Sequence, residues 1–153
     1  MSAIITPSIP SNTYPTNDTL ITMTIDTDEI MAATTQEAVM AAARFTDNRR
    51  QSTDEGPNHQ TMLVKNNFVT WVGAVQDVKD HPLDKVLIYD VTGAGNAWQR
   101  KEASSGPGQT HVDGKSKGSG AAPEDYTIVF WVWNNNLGLG KAFQIDPKLG
   151  VNN

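Results

Sequence analysis

The sequence predicts a mostly β fold, an antiparallel β-sandwich with one short helix between its early strands. Three observations carry this expectation. Short segments of β-branched and aromatic residues with alternating apolar and polar character recur along the chain; clusters of Gly, Pro, Asn and Asp separate them; and helical composition is confined to one early stretch. A chain of 153 residues suits one domain with a sizeable core, and 38% hydrophobic with 19% charged residues is ordinary for a globular protein.

Taken in order, residues 1–18 read as an extended arm, because Pro7, Pro10 and Pro15 forbid helix. Its Ile4, Ile5 and Ile9 suggest a strap laid on a sheet edge, either its own or a neighbour's, with residues 19–153 forming the sandwich domain. Leu20 to Ile25 alternates and is expected to bury Ile21, Met23 and Ile25. From Asp28 to Phe45 alanines dominate, and Thr34 followed by Glu37 matches a capping box, so the helix is expected from about Thr35 to Arg44. Asp47 to Gln60 reads as a loop. Strands follow at Met62 to Val64 and Phe68 to Val75 around a turn at Asn66-Asn67, and Asp80-His81-Pro82 makes a corner. Lys85 to Val91 is a strand, Gly93 to Asn96 a turn, and Ala97 to Lys101 a short strand. Residues 103–124, dense in Gly, Ser and Pro, read as a long mobile loop. Tyr126 to Trp133 is apolar on both alternating faces and is expected to be a central strand covered on both. Asn134 to Gly138 turns the chain into a last strand, Lys141 to Ile145, before Asp146-Pro147.

Charge and composition exclude several function classes. The formal net charge is −5, and the basic residues form nothing denser than Arg49-Arg50 and the Lys115 to Lys117 piece. Phosphate contacts need a concentrated basic face, so no nucleic-acid partner is expected. The chain has no cysteine, which removes disulfides, thiolate catalysis and cysteine metal sites. A mean hydropathy of −0.42 argues against a membrane span. The first residues lack the basic segment and unbroken apolar run of a secretory signal, so a cytoplasmic location is expected.

The catalytic motifs that surface are incomplete. Gly93-Ala94-Gly95 follows a strand as in dinucleotide-binding folds, but Trp98 stands where the third glycine belongs and no helix N-terminus follows, so a hairpin turn explains it better. Gly138-Leu139-Gly140-Lys141 lacks the rest of a phosphate loop. Gly118-Ser119-Gly120 has Lys117 where a nucleophile elbow needs glycine, and the segment around His111 and Asp113 is too glycine-rich to hold a precise constellation. No enzyme activity and no cofactor are expected. Asp26, Asp28 and Glu29, with Asp90 or Asp146, could supply oxygen ligands for calcium, although the EF-hand spacing breaks at Ile30 and acids at a strand exit and helix N-terminus account for them better. His59, His81 and His111 show no zinc-ligand spacing. Trp71 and Trp131 read as core. Trp98, beside glycines and polar residues, is a candidate platform for a ligand such as a carbohydrate, with Asp90 and His111 as its polar companions.

Four stretches carry a resemblance: Ile25-Asp26-Thr27-Asp28-Glu29-Ile30, Val69-Thr70-Trp71, Tyr126 to Trp133, and Phe143-Gln144-Ile145-Asp146-Pro147-Lys148-Leu149. In this order the chain resembles the bacterial inclusion body protein family, AidA/PixA-like, over most of residues 20–151. The Ala-rich segment departs from the polar linker of that pattern. The resemblance implies a small cytoplasmic β-sandwich that accumulates to high level, and it brings no catalytic residues. The expected function is that of a non-catalytic protein that self-associates, with itself as partner and the N-terminal arm as one means. The alternative is a carbohydrate-binding, lectin-like module.

Overall fold

The structure, a computed structural model, describes residues 17–49, 55, 56, 58–100 and 111–152. Its elements run β1 (Thr19–Ile25), α1 (Thr27–Ala32), α2 (Gln36–Ala41), β2 (Ala43–Asp47), β3 (Gln60–Leu63), β4 (Phe68–Val75), β5 (Lys85–Gly93), β6 (Trp98–Arg100), β7 (His111–Ser116), β8 (Ala121–Asn134), β9 (Leu139–Ile145) and β10 (Lys148–Val151). They form two sheets, one ordered β2-β1-β4-β7-β6 and the other β3-β10-β8-β5, with β9 also paired to β8. The sheets are mixed rather than purely antiparallel, since β1 runs parallel to β4 and β3 parallel to β10. None of the described helices is long and apolar enough to cross a membrane.

Alternation builds the core. Ile21, Met23 and Ile25 of β1, Val69 and Trp71 of β4, and Val112 of β7 point inward from the first sheet. Val86, Ile88 and Val91 of β5, Tyr126, Ile128, Phe130 and Val132 of β8, and Phe143 and Ile145 of β9 meet them from the second. Each such side chain contributes about 1.5–3 kcal/mol through burial. Trp71 sits at the centre, fully buried, with its ring 4.7 Å from Trp98 and 5.7 Å from Tyr126, and its indole N–H donates to the Tyr126 hydroxyl at 2.9 Å. Burial pushes the Tyr126 phenol well above its ordinary range, the Trp71 N–H acts in the opposite direction, and Asp47 adds to the rise.

The early helical stretch differs from expectation in three ways. A first helix, α1, starts one residue after Asp26, whose carboxylate accepts from the Glu29 N–H at 3.0 Å as N-cap. The second, α2, is capped by Thr35 accepting from the Ala38 N–H at 3.1 Å, not by Thr34 in a capping box with Glu37. It also stops at Ala41. Ala43 and Arg44, expected in the helix, instead open a strand over residues 43–47 that pairs antiparallel with β1, Ile25 opposite Ala43 and Ile21 opposite Asp47. This pairing inserts Phe45 fully into the core, and tertiary burial outweighs the few tenths of a kcal/mol per residue by which alanine favours helix. A Thr35→Ala substitution removes the cap of an exposed, six-residue helix and is expected to cost about 1 kcal/mol in urea denaturation, with the m-value unchanged.

The expected loop over residues 103–124 is also corrected where it is described. His111–Ser116 is a strand between β4 and β6, and Ala121 to Glu124 opens the long strand β8. Residues 103–110 lie outside the described residues. So do residues 1–16 of the expected arm; at its end, the Asp18 carboxylate accepts from the Phe68 N–H at 3.0 Å. The turn at Asn66 is present, with Asn66 at φ 58°. The Gly93 to Asn96 turn is no hairpin, because β5 and β6 belong to different sheets and the turn carries the chain from one to the other. The closing strand β10 follows the strand expected to be the last and pairs with both β3 and β8.

Candidate functional site

The surface that stands out lies on the outer face of the second sheet. β8 alternates strictly: Tyr126, Ile128, Phe130 and Val132 are buried, while Thr127, Val129, Trp131 and Trp133 point outward and are half-buried. The inward half behaves as expected, but the outward half is only half-buried among the described residues, so the expectation that both faces of this strand are covered is corrected. Trp131, expected in the core with Trp71, belongs to the open face.

Strand register arranges this face in rows. Lys85, Trp133 and Gly140 form one row, Leu87, Trp131 and Ala142 the next, and Asp90, Val129 and Gln144 the third. The indoles of Trp131 and Trp133 lie side by side, centroids 6.1 Å apart and planes at 21°. Gly140 lets Trp131 lie down on the sheet, since a Cβ there would come within 2.0 Å of the indole Cζ2. The result is a flat aromatic platform flanked by Leu87, Val129 and Ala142. The bulge between Ile88 and Asp90 leaves Tyr89 exposed beside it.

The residues singled out from the sequence do not converge. Trp98 is 5% exposed, packed on Trp71, with its N–H donating to the Gly93 carbonyl at 2.9 Å, so the reading of an exposed loop-end platform is corrected. Asp90 is linked to it only through Arg100, which pairs with the Asp90 carboxylate and lies 5.8 Å from the Trp98 ring centroid. His111 is on the outer face of the opposite sheet. There its Nε2 is 3.5 Å from Asp113 Oδ2, the Thr70 hydroxyl donates to Asp113 Oδ1 at 2.7 Å, and a groove of about 370 Å³ runs past Leu20, Phe68 and Val72.

Asp26 is used as the α1 cap and Glu29 is exposed, whereas Asp28 belongs to a polar network at one end of the sandwich. There the Asn134 side chain donates to the Thr27 carbonyl at 3.2 Å and to Asp28 Oδ1 at 2.9 Å. The His81 ring stands between two acids, Nε2 3.3 Å from Asp28 Oδ2 and Nδ1 3.1 Å from Asp84 Oδ2. Asp84 also accepts from the Thr27 hydroxyl at 2.5 Å and from the Asn135 N–H at 2.8 Å. Burial pushes the Asp84 carboxyl up, but the Thr27 hydroxyl, the Asn135 N–H and His81 outweigh it and hold the group below its ordinary value. Among the described residues no three His, Asp or Glu side chains gather as a metal site would require.

A second buried set joins His59, Asp47 and Thr61. His59 Nε2 is 3.1 Å from Asp47 Oδ2 and 3.1 Å from the Thr61 hydroxyl, which itself donates to Asp47 at 2.5 Å. One ring nitrogen serves both contacts, so the imidazole does not stand between acid and hydroxyl as a catalytic base does. Phe45 stacks on the ring at 5.7 Å.

No protein-family model and no curated protein matches the sequence. Among solved structures the fold is similar to that of an inclusion body protein, PixA, from Burkholderia cenocepacia J2315, with a TM-score of 0.55, 16% sequence identity, and coverage of 88% of this chain and 94% of that one. At that identity the likeness is one of fold.

Proposed function

We propose that this chain is a non-catalytic β-sandwich protein that self-associates, in the manner of an inclusion body protein. The carrying observation is the open aromatic face of β8, where Trp131 and Trp133 stand half-buried among Leu87, Val129 and Ala142. A contiguous apolar face on a sheet that already has its core on the other side is a surface for association. The fold likeness to an inclusion body protein supports the same reading. The saccharide alternative has less behind it, because polar groups beside the platform are engaged within the chain: the Trp133 N–H with Asn135 and the Thr127 hydroxyl with Asp146.

Light scattering across a concentration series tests the proposal. The wild type is expected to grow in mass with concentration. Truncating a central interface tryptophan costs on the order of 1–2 kcal/mol, so Trp131→Ala combined with Trp133→Ala should weaken association about a hundredfold. Circular dichroism should show both proteins folded. A wild type that stays monomeric throughout overturns the reading, and a glycan bound by wild type but not by Trp131→Ala would favour the saccharide alternative.

A further inference from the structure

The self-association reading leaves open how two copies meet, and the rows of the open face point to one arrangement. We propose that two copies stack face to face about a two-fold axis lying in the interface, perpendicular to the strands and passing through the row Leu87, Trp131, Ala142. This rests on the reading above and adds its partner geometry.

The argument is one of self-complementarity. In a two-fold interface each residue must tolerate the residue that the axis sets against it. With the axis on the middle row, Leu87, Trp131 and Ala142 each meet their own copy, apolar against apolar, and the central aromatic meets an aromatic. The outer rows exchange. Trp133 then lies over Val129, and Gly140, which has no side chain, lies over the long Gln144. Lys85 lies over Asp90, cation against anion, at both ends of the interface. Both are at the rim: Lys85 is exposed, and the Asp90 side chain is 47% exposed, with Arg100 and the Val91 N–H both donating to Oδ1 of a carboxylate that can accept at either oxygen. Turning the axis parallel to the strands instead sets β5 over β9, so that Leu87 covers Ala142 and Lys85 covers Gly140, and the charge match is lost. The antiparallel arrangement also agrees with the aligned packing that twisted sheets adopt.

The absence of cysteine from the wild-type chain makes the test clean. Single variants Ala142→Cys and Leu87→Cys are treated with a short bismaleimide, chosen because stacked sheets stand about 10 Å apart, beyond the reach of a direct disulfide. Thr46→Cys, on the outer face of the other sheet, is the control. Ala142→Cys and Leu87→Cys are each expected to cross-link to a covalent dimer, and Thr46→Cys is not. Lys85→Glu should lower the association constant several-fold at low ionic strength and less in high salt. If the protein associates by light scattering yet neither axis-row cysteine cross-links with itself, or only a mixture of the two does, the two-fold arrangement is wrong while self-association stands. A strictly monomeric wild type overturns both.

Discussion

Trp71→Ala is expected to lower the unfolding free energy by about 3–5 kcal/mol, the largest effect of any single substitution considered for this chain. The indole is fully buried between the sheets, so truncation opens a cavity lined by Trp98 and Tyr126 that neither sheet can close without shifting its register. A second cost comes from the Tyr126 hydroxyl, which loses its 2.9 Å N–H donor in a dry interior. Single domains are stable by about 5–15 kcal/mol, so the variant should melt far below the wild type or fail to accumulate as folded protein. Trp71→Phe separates the two costs: it keeps most of the ring volume but removes the N–H, and a loss of about 1–2 kcal/mol is expected. A Trp71→Ala protein with an unchanged melting temperature would mean that the sheets are not held together at this point.

Asp84→Ala comes second, at about 3 kcal/mol, because removing a buried, multiply bonded carboxylate strands the groups that serve it. The Thr27 hydroxyl, the Asn135 N–H and His81 all converge on Asp84, joining the start of α1, the β4–β5 connection and the β8–β9 turn. The effect should depend on pH in a fixed direction. Since the folded protein holds this carboxyl below its ordinary value of 3.8, its stabilisation is complete above that value and is lost as pH falls through the lower, folded value. The gap between wild type and Asp84→Ala in urea denaturation should therefore be wider at pH 7 than in strong acid. A gap that is the same at both pH values would refute the assigned role.

Much of the fold is legible in the sequence wherever one strand carries its own pattern. Leu20 to Ile25 announces a half-buried strand because its apolar residues recur with period two, and Lys85 to Val91 and Phe68 to Val75 do the same. The misread segments are those whose state depends on a partner far away. Ala43 and Arg44 read as the end of a helix and are extended because β1 offers them an edge. His111 to Ser116 looks like a loop because only Val112 is strongly apolar; its Gly114 is there because a Cβ would come within 2.3 Å of the Trp98 ring. That requirement is invisible without knowing that β6 lies alongside.

The candidate face was half legible. Alternation in Tyr126 to Trp133 shows that both faces are apolar, and the natural inference is that the same chain covers both. Sequence periodicity counts faces but does not say what lies against them, which is why Trp131 was assigned to the core. Trp98 failed in the opposite sense. Its glycine-rich neighbours suggested exposure, whereas one of those glycines, Gly93, supplies the carbonyl that accepts the indole N–H within the core.

The parallel pairing of β3 with β10 bears on how the protein is made. Gln60 finds its partner at Lys148, 88 residues later in the chain (148 minus 60), and among the described residues β3 has no other strand beside it in the sheet. A ribosome adding about 5–20 residues per second takes on the order of 4–18 s to cover that distance. During this time each nascent chain carries an unfinished strand edge, next to those of other chains on the same message. In a protein produced in quantity, that interval sets a race between completing its own sheet and borrowing a neighbour's, and slower translation of the last hundred residues would tilt the race toward the neighbour.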